Sequence, residues 1–270
     1  MAAVAHPAPG WDAHVHVFDA GAAAAGAHYR PVARPLAEIE GLAQAHGCGH
    51  LVLVQPSVYG SDNTLLLEAL RASHGRHRGV VVVRGDEAQA ELDAMHAAGV
   101  RGIRFNLVSP VGSARDDVAP ALARIAPFLR SRGWHVQWYV HPALLEQLAQ
   151  WQAVHALPFV LDHLAGLTPA HAASDGTWEV LRTLAAGGAW IKLSGWYRLQ
   201  AQAPYGALHP LVRRAAALFD DRMVWGSDWP HTSFPPGELP PYASLWEPVV
   251  RALGEDGARR VREAGAALYA

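Results

Sequence analysis

The chain has 270 residues, is 51% hydrophobic and 17% charged, and carries a formal charge of −2. That length and apolar share suit one large soluble domain with a substantial core, and about 250 residues is the usual size of a (β/α)8 barrel. Near-neutral charge gives no electrostatic basis for nucleic-acid or acidic-membrane binding, no stretch approaches the roughly 20 apolar residues that span a bilayer, and the lone Cys48 excludes an internal disulfide.

Met1 to Gly10 is rich in Ala and Pro and lacks the basic and apolar regions of a secretory signal. With a single cysteine, the expected compartment is the reducing cytoplasm. The first predicted strand, 11–17, reads Trp-Asp-Ala-His-Val-His-Val, so Asp12, His14 and His16 share one parity of an extended run. A core strand has no need of two imidazoles facing one way, because each must be desolvated and hydrogen-bonded. Seven further apolar runs follow, at 50–55, 79–84, 101–106, 135–140, 158–162, 189–194 and 223–228. Helical patterns fall between them at 36–46, 63–73, 87–98, 119–132, 143–155, 177–187 and 208–219. Strands alternating with helices imply parallel βα units, and eight units point to a closed α/β TIM barrel spanning 1–270 as one domain. The Ala/Gly-rich stretch 21–26 and the Pro-rich stretch 229–242 read as loops over one face.

Polar residues gather where the predicted strands end: His14 and His16, Gln55 with Ser57, Arg104 with Asn106, Tyr139 with His141, His163, Ser194 and Asp228. In a barrel of this type that rim carries the active site, so the pattern predicts an enzyme. Two chemistries fit His14, His16, His163 and Asp228. They could ligate one divalent ion, zinc or manganese, with an open position. Without metal, the imidazoles would hydrogen-bond a substrate carbonyl while Asp228 deprotonates water. Read as structure alone, His163 starts a helix and Asp228 caps one before Trp229-Pro230. Arg104, inward at the end of the fourth strand, calls for an anion: a substrate carboxylate, or an internal partner such as Asp86 or Asp12. Arg198 offers a second anion contact and Ser57 a hydroxyl, while Tyr139 and Tyr29 either line the pocket or pack. There is no nucleophile elbow and no phosphate-binding glycine fingerprint.

These segments, taken together, resemble the amidohydrolase superfamily, in its amidohydrolase-related family 2. The likeness is to the lactonase branch, which includes 2-pyrone-4,6-dicarboxylate and sugar-acid lactonases. The matching stretches are 11–18, 52–63, 101–106, 161–164, 191–195 and the Val224-Trp-Gly-Ser-Asp-Trp-Pro-His231 run, with 264–269 matching the family's C-terminal helix. The resemblance implies hydrolysis of a cyclic ester with no required metal. It makes Asp228 the base for water, His14, His16 and His163 the groups that polarise the carbonyl, and Arg104, Arg198, Ser57, Tyr139 and Tyr29 the contacts to an anionic small-molecule substrate. Lys192-Leu193-Ser194-Gly195 stands where the superfamily's metal-dependent decarboxylases offer a further histidine, which argues against that activity. Pro110 stands where the dicarboxylate lactonase has a second arginine. Either Arg115 reaches in to replace it, or the substrate carries one carboxylate fewer. A mononuclear metal-dependent hydrolase or decarboxylase, a lactone isomerase and a non-catalytic acid-binding barrel are the other readings of the same residues.

Overall fold

A computed structural model describes residues 7–19, 21, 29–235 and 237–270. The valine-rich runs form eight parallel strands that neighbour one another in chain order: β1 (Gly10–Val15), β2 (Cys48–Val54), β3 (Arg78–Val81), β4 (Val100–Asn106), β5 (His135–Tyr139), β6 (Phe159–Leu161), β7 (Trp190–Leu193) and β8 (Met223–Trp225). Closure lies just beyond β8. The Asp228 amide donates to the His14 carbonyl at 2.9 Å, the His16 amide donates to the Trp229 carbonyl at 2.9 Å, and Val15 pairs with Trp229 in parallel. These are the bonds of a (β/α)8 barrel.

All eight expected strands form, and most stop one to three residues early, where polar side chains turn into the rim. The intervening helices are α1 (Leu36–Ala45), α2 (Thr64–Ala72), α3 (Gln89–Ala97), α4 (Arg115–Arg132), α5 (Leu145–His155), α6 (Asp175–Ala186) and α7 (His209–Phe219). Helix α4 begins four residues before its expected start. Asp116 and Asp117 sit in its first turn, where carboxylates favour the positive end of the helix dipole, so Pro120 lies inside the helix and does not open it. Helix α8 (Glu247–Glu263), broken at Gly254, was not among the periodic segments, whereas α9 (Gly265–Tyr269) falls where the family's terminal helix was expected. Much of the loop after Asp19 lies outside the described residues. Among the described residues, no helix is long and apolar enough to cross a membrane.

The barrel interior is divided. Val52, Val54, Val80 and Val224 form an apolar cluster over Tyr269 of α9. Trp11 stacks on that ring at 5.8 Å, and Arg78 Nε donates to the Tyr269 carbonyl at 3.0 Å, so α9 plugs the barrel floor. Across from the valines lie His14, Arg104, Gln137, Asp162 and Lys192, all buried. Branched aliphatic layers are the usual filling of such a barrel, and this polar half departs from them directly below the rim.

Candidate active site

The site is built outward from the closure bonds. Because Asp228 N bonds His14 O and His16 N bonds Trp229 O, the same contacts that shut the barrel set Asp228 beside both strand-one imidazoles. Asp228 Oδ1 lies 3.7 Å from His14 Nε2 and 3.5 Å from His16 Nε2. Asp12, the third polar residue of the first strand, has a structural task. It accepts from the Ser227 amide at 2.8 Å and from the Tyr242 hydroxyl at 2.8 Å, tying β1 to the segments after β8. Burial pushes its carboxyl up to about 6 against these hydrogen bonds.

His163 reaches the same centre through an unusual turn. Residues His163, Leu164 and Ala165 all have positive φ, of 49°, 49° and 56°, and Gly166 follows at 72°. Left-handed backbone costs L-residues roughly 1–2 kcal/mol each, so the packing must over-determine it. Gly195 leaves the ring its space: a Cβ there would lie 2.4 Å from His163 Nδ1. Gly226 does the same for His14, whose Cβ would be 2.5 Å from the added carbon. Ser194 Oγ lies 2.9 Å from His163 Nδ1. A hydroxyl that donates there leaves Nε2 as the N–H. His14 rests at 4.9 Å from the His163 ring, and Tyr139 meets it edge-on at 4.8 Å.

The charges are sharply ordered. Burial alone would raise the Asp228 carboxyl, but Arg198, His163, His16 and His14 outweigh it and hold the group well below the usual carboxylate range. Its Oδ2 accepts from Tyr197 at 2.6 Å and from Arg198 Nε at 2.7 Å, while Oδ1 has no hydrogen-bond partner among the described residues. Burial drives His14 well below its ordinary value and lowers His163 to about 4, so both are neutral near pH 7.

A second carboxylate supports the first site from below. Asp162 Oδ2 accepts from Arg104 Nε at 3.1 Å and Gln137 Nε2 at 3.0 Å, and Oδ1 lies 3.3 Å from His14 Nδ1 and 3.5 Å from Lys192 Nζ. Burial opposes its charge, yet Lys192, His14 and Arg104 keep it well below the usual range. Burial lowers Lys192 to about 8 against the pull of Asp162. The internal partner of Arg104 is thus Asp162, not Asp86 or Asp12. Its Nη groups have no hydrogen-bond partner among the described residues, and its guanidinium lies 5.5 Å over the Tyr139 ring.

His16, Tyr29, Ser57, Arg104, Tyr139, His163, Arg198 and Asp228 line one hollow of about 40 Å³, joined by Pro56, Asn106, Ser109 and Thr232. Of the nine residues singled out in the sequence, His14 alone is not in this lining; it is fully buried behind it. Arg198 grips Asp228 and also donates to Thr232 Oγ1 at 3.2 Å. Arg115 does not replace the missing arginine: it is exposed, opens α4, and donates to Gln147 at 3.2 Å. Asp162, Lys192, Gln137 and Tyr197 were not anticipated. Lysine in the apolar run of β7 was the readable signal for this buried network.

A metal ion is compatible with the centre. His14, His163 and Asp228 offer ligand atoms within 4.8 Å of one another, and His14 Nε2 and Asp228 Oδ1 are buried without partners. Unpaired buried polar atoms aimed at one point are what a bound cation, or a reacting polar group, would satisfy.

A family model described as Amidohydrolase matches residues 11–261. A 4-sulfomuconolactone hydrolase of Rhizobium radiobacter is 31% identical over 251 residues, covering 91% of this chain and 84% of its own. A 2-pyrone-4,6-dicarboxylate hydrolase of Comamonas testosteroni is 32% identical over 243 residues, covering 83% of this chain and 78% of its own. Among solved structures, a probable 2-pyrone-4,6-dicarboxylic acid hydrolase of Acinetobacter baumannii, with citric acid bound, superposes with a TM-score of 0.82. It is 25% identical and covers 97% of this chain and 99% of its own.

Proposed function

The chain belongs to the amidohydrolase family, and from that membership we propose that it hydrolyses a carboxylate-bearing lactone, with Asp228 as general base. The observation that carries this reading is the split duty of the Asp228 carboxylate. Oδ2 is held by Tyr197 and Arg198, while Oδ1 is left unpaired among His14 and His16. An ionised, fixed carboxylate with one bare oxygen suits a water that must be oriented and deprotonated.

Water bound at Oδ1 gives its proton to Asp228 as its oxygen adds to the lactone carbonyl carbon. Neutral His163 donates to the developing oxyanion, with His14 and His16 on its flank. The tetrahedral adduct collapses, the ring C–O bond breaks, and the departing oxygen recovers the proton from Asp228. The product is the ring-opened hydroxy acid or its keto tautomer. Arg104 presents its free Nη groups to the substrate carboxylate, with Ser57, Tyr139 and Tyr29 around it and Arg198 bridging from Asp228. Relatives that act on sulfonated or dicarboxylated lactones, and the citrate held by a structural neighbour, support an anionic cyclic ester. With Pro110 in place of the branch's second arginine and Arg115 turned outward, the proposed substrate carries fewer carboxylates than the pyrone dicarboxylate.

The second reading rests on the unpaired His14 and Asp228 atoms: a divalent ion held by His14, His163 and Asp228 would supply Lewis-acid polarisation at the same spot. A panel of mono- and dicarboxylate lactones, assayed before and after chelation with metal analysis of the protein, tests both. Full turnover in metal-free protein supports the first reading, and loss on chelation with recovery on adding zinc or manganese supports the second. Asp228→Asn is expected to cut turnover by about 10²–10⁴-fold and leave substrate binding nearly intact. Near-normal turnover would remove Asp228 from the base role.

A further inference from the structure

The hollow at the reacting centre, about 40 Å³, holds little more than one or two water-sized groups. A lactone whose ester and carboxylate lie between Asp228 and Arg104 fills it, and any further substituent must extend beyond it. Ser57, Arg104 and Asn106 also line a second cavity of about 470 Å³, so the two adjoin across these side chains. This larger compartment lies on the rim between the ends of β3 and β4, the loop after β2 and the first turns of α4.

Its chemistry differs from that of the small hollow. Val82, Val83, Phe105, Val111, Val118 and Ala121 supply the walls. Of the arginines that line it, Arg104 faces the reacting centre and the other two already bond within the rim. Arg84 pairs with Asp86 at 3.2 Å and donates to Ser61 Oγ at 3.3 Å, and Arg124 donates to the Gly85 carbonyl at 3.2 Å and the Arg84 carbonyl at 3.4 Å. Asp86 and Asp117 add negative charge to the lining. With Arg104 given to the first carboxylate, two arginines and two aspartates of the lining balance, and a second substrate carboxylate would lose its hydration there and have to displace bonds that Arg84 and Arg124 already make. An apolar group would lose nothing and bury surface.

Resting on the lactone reading above, we propose that this compartment is the subsite for an apolar substituent of the substrate. The substrate class is then an aryl- or alkyl-substituted lactone monocarboxylate: the ester and carboxylate lie between Asp228 and Arg104, and the hydrocarbon arm lies against Phe105 and Val118. The absent second arginine and the apolar compartment describe the same ligand from opposite ends.

Calorimetry with biphenyl-3-carboxylate and benzoate tests the subsite without turnover. The intact protein is expected to bind the biphenyl acid at least about tenfold more tightly, as burial of one aromatic ring allows. Ala121→Phe fills the deep wall and Val111→Trp the half-buried rim. Both are expected to abolish the preference while leaving benzoate affinity within about twofold. If Ala121→Phe does not fold, the rim variant alone decides. Equal affinities for the two acids, binding of neither, or a preference that survives Val111→Trp overturns the subsite. In parallel, turnover is measured on 2-pyrone-6-carboxylate with hydrogen or phenyl at ring carbon 3 or 4. Turnover of both with no phenyl preference defeats the subsite and leaves the lactone reading standing. No turnover of any lactone defeats that reading, and the calorimetry still rules on the compartment.

Discussion

At the residue scale, Asp228 is governed by Arg198. The guanidinium is the foremost group holding that carboxyl low, since burial works in the opposite direction. Replacing it with a neutral side chain therefore lets the carboxyl titrate at higher pH. Arg198→Gln is expected to move the acid limb of the kcat/KM profile upward, a shift read directly from pH–rate measurements; an unmoved limb would show that Asp228 does not set it. Residues whose chemistry shows in their own neighbourhood were legible in the sequence: the paired histidines of β1, Arg104 after its glycine, and Asp228 in the Trp-Gly-Ser-Asp run. Asp162 was not, although it adjoins His163. Its partners Arg104 and Gln137 are 58 and 25 residues away, and they meet it only through strand register. Cross-strand register leaves no trace in local composition.

At the scale of elements, the strands were readable because valine-rich runs bounded by glycine and polar residues suit a buried parallel sheet. Their ends were less so, as the ladder stops where side chains must turn toward the rim. The left-handed turn at 163–166 was invisible apart from Gly166, because histidine, leucine and alanine all ordinarily avoid that region. Gly195 is the counterpart of that turn. Gly195→Ala places a methyl against the His163 ring and puts alanine at a φ of 57°. The expected result is a kcat loss of about tenfold or more with about 1–2 kcal/mol of destabilisation, measured by steady-state kinetics and thermal melts. An unaltered kcat would mean that the imidazole does not need its present place.

At the scale of the molecule, the buried site makes the fold sensitive to acid. Burial lowers His163 and His231 to about 4 and His135 to about 3, and drives His14 well below its ordinary value. The unfolded chain takes up those protons from about pH 6.5 downward, so each histidine contributes stability that is present above that point and lost as pH falls through its folded value. Asp12, raised to about 6, acts in the other direction: its folded form favours the proton, and its contribution is lost as pH rises through 6. Four histidines outnumber one carboxylate between pH 6.5 and 4, and each net proton is worth about 1.4 kcal/mol per pH unit. The melting temperature is expected to fall steeply between pH 6.5 and 4, and a flat profile in calorimetric scans would contradict this. The closure of the barrel bears on the order of synthesis as well. Asp12 and Ser227, whose bond joins the two ends of the sheet, are 215 residues apart. During translation the histidines of β1 are made well before Asp228 and meet it only when the segment after β8 docks on β1. The proposed centre is therefore assembled only by the contacts that close the barrel, and not by any shorter part of the sheet.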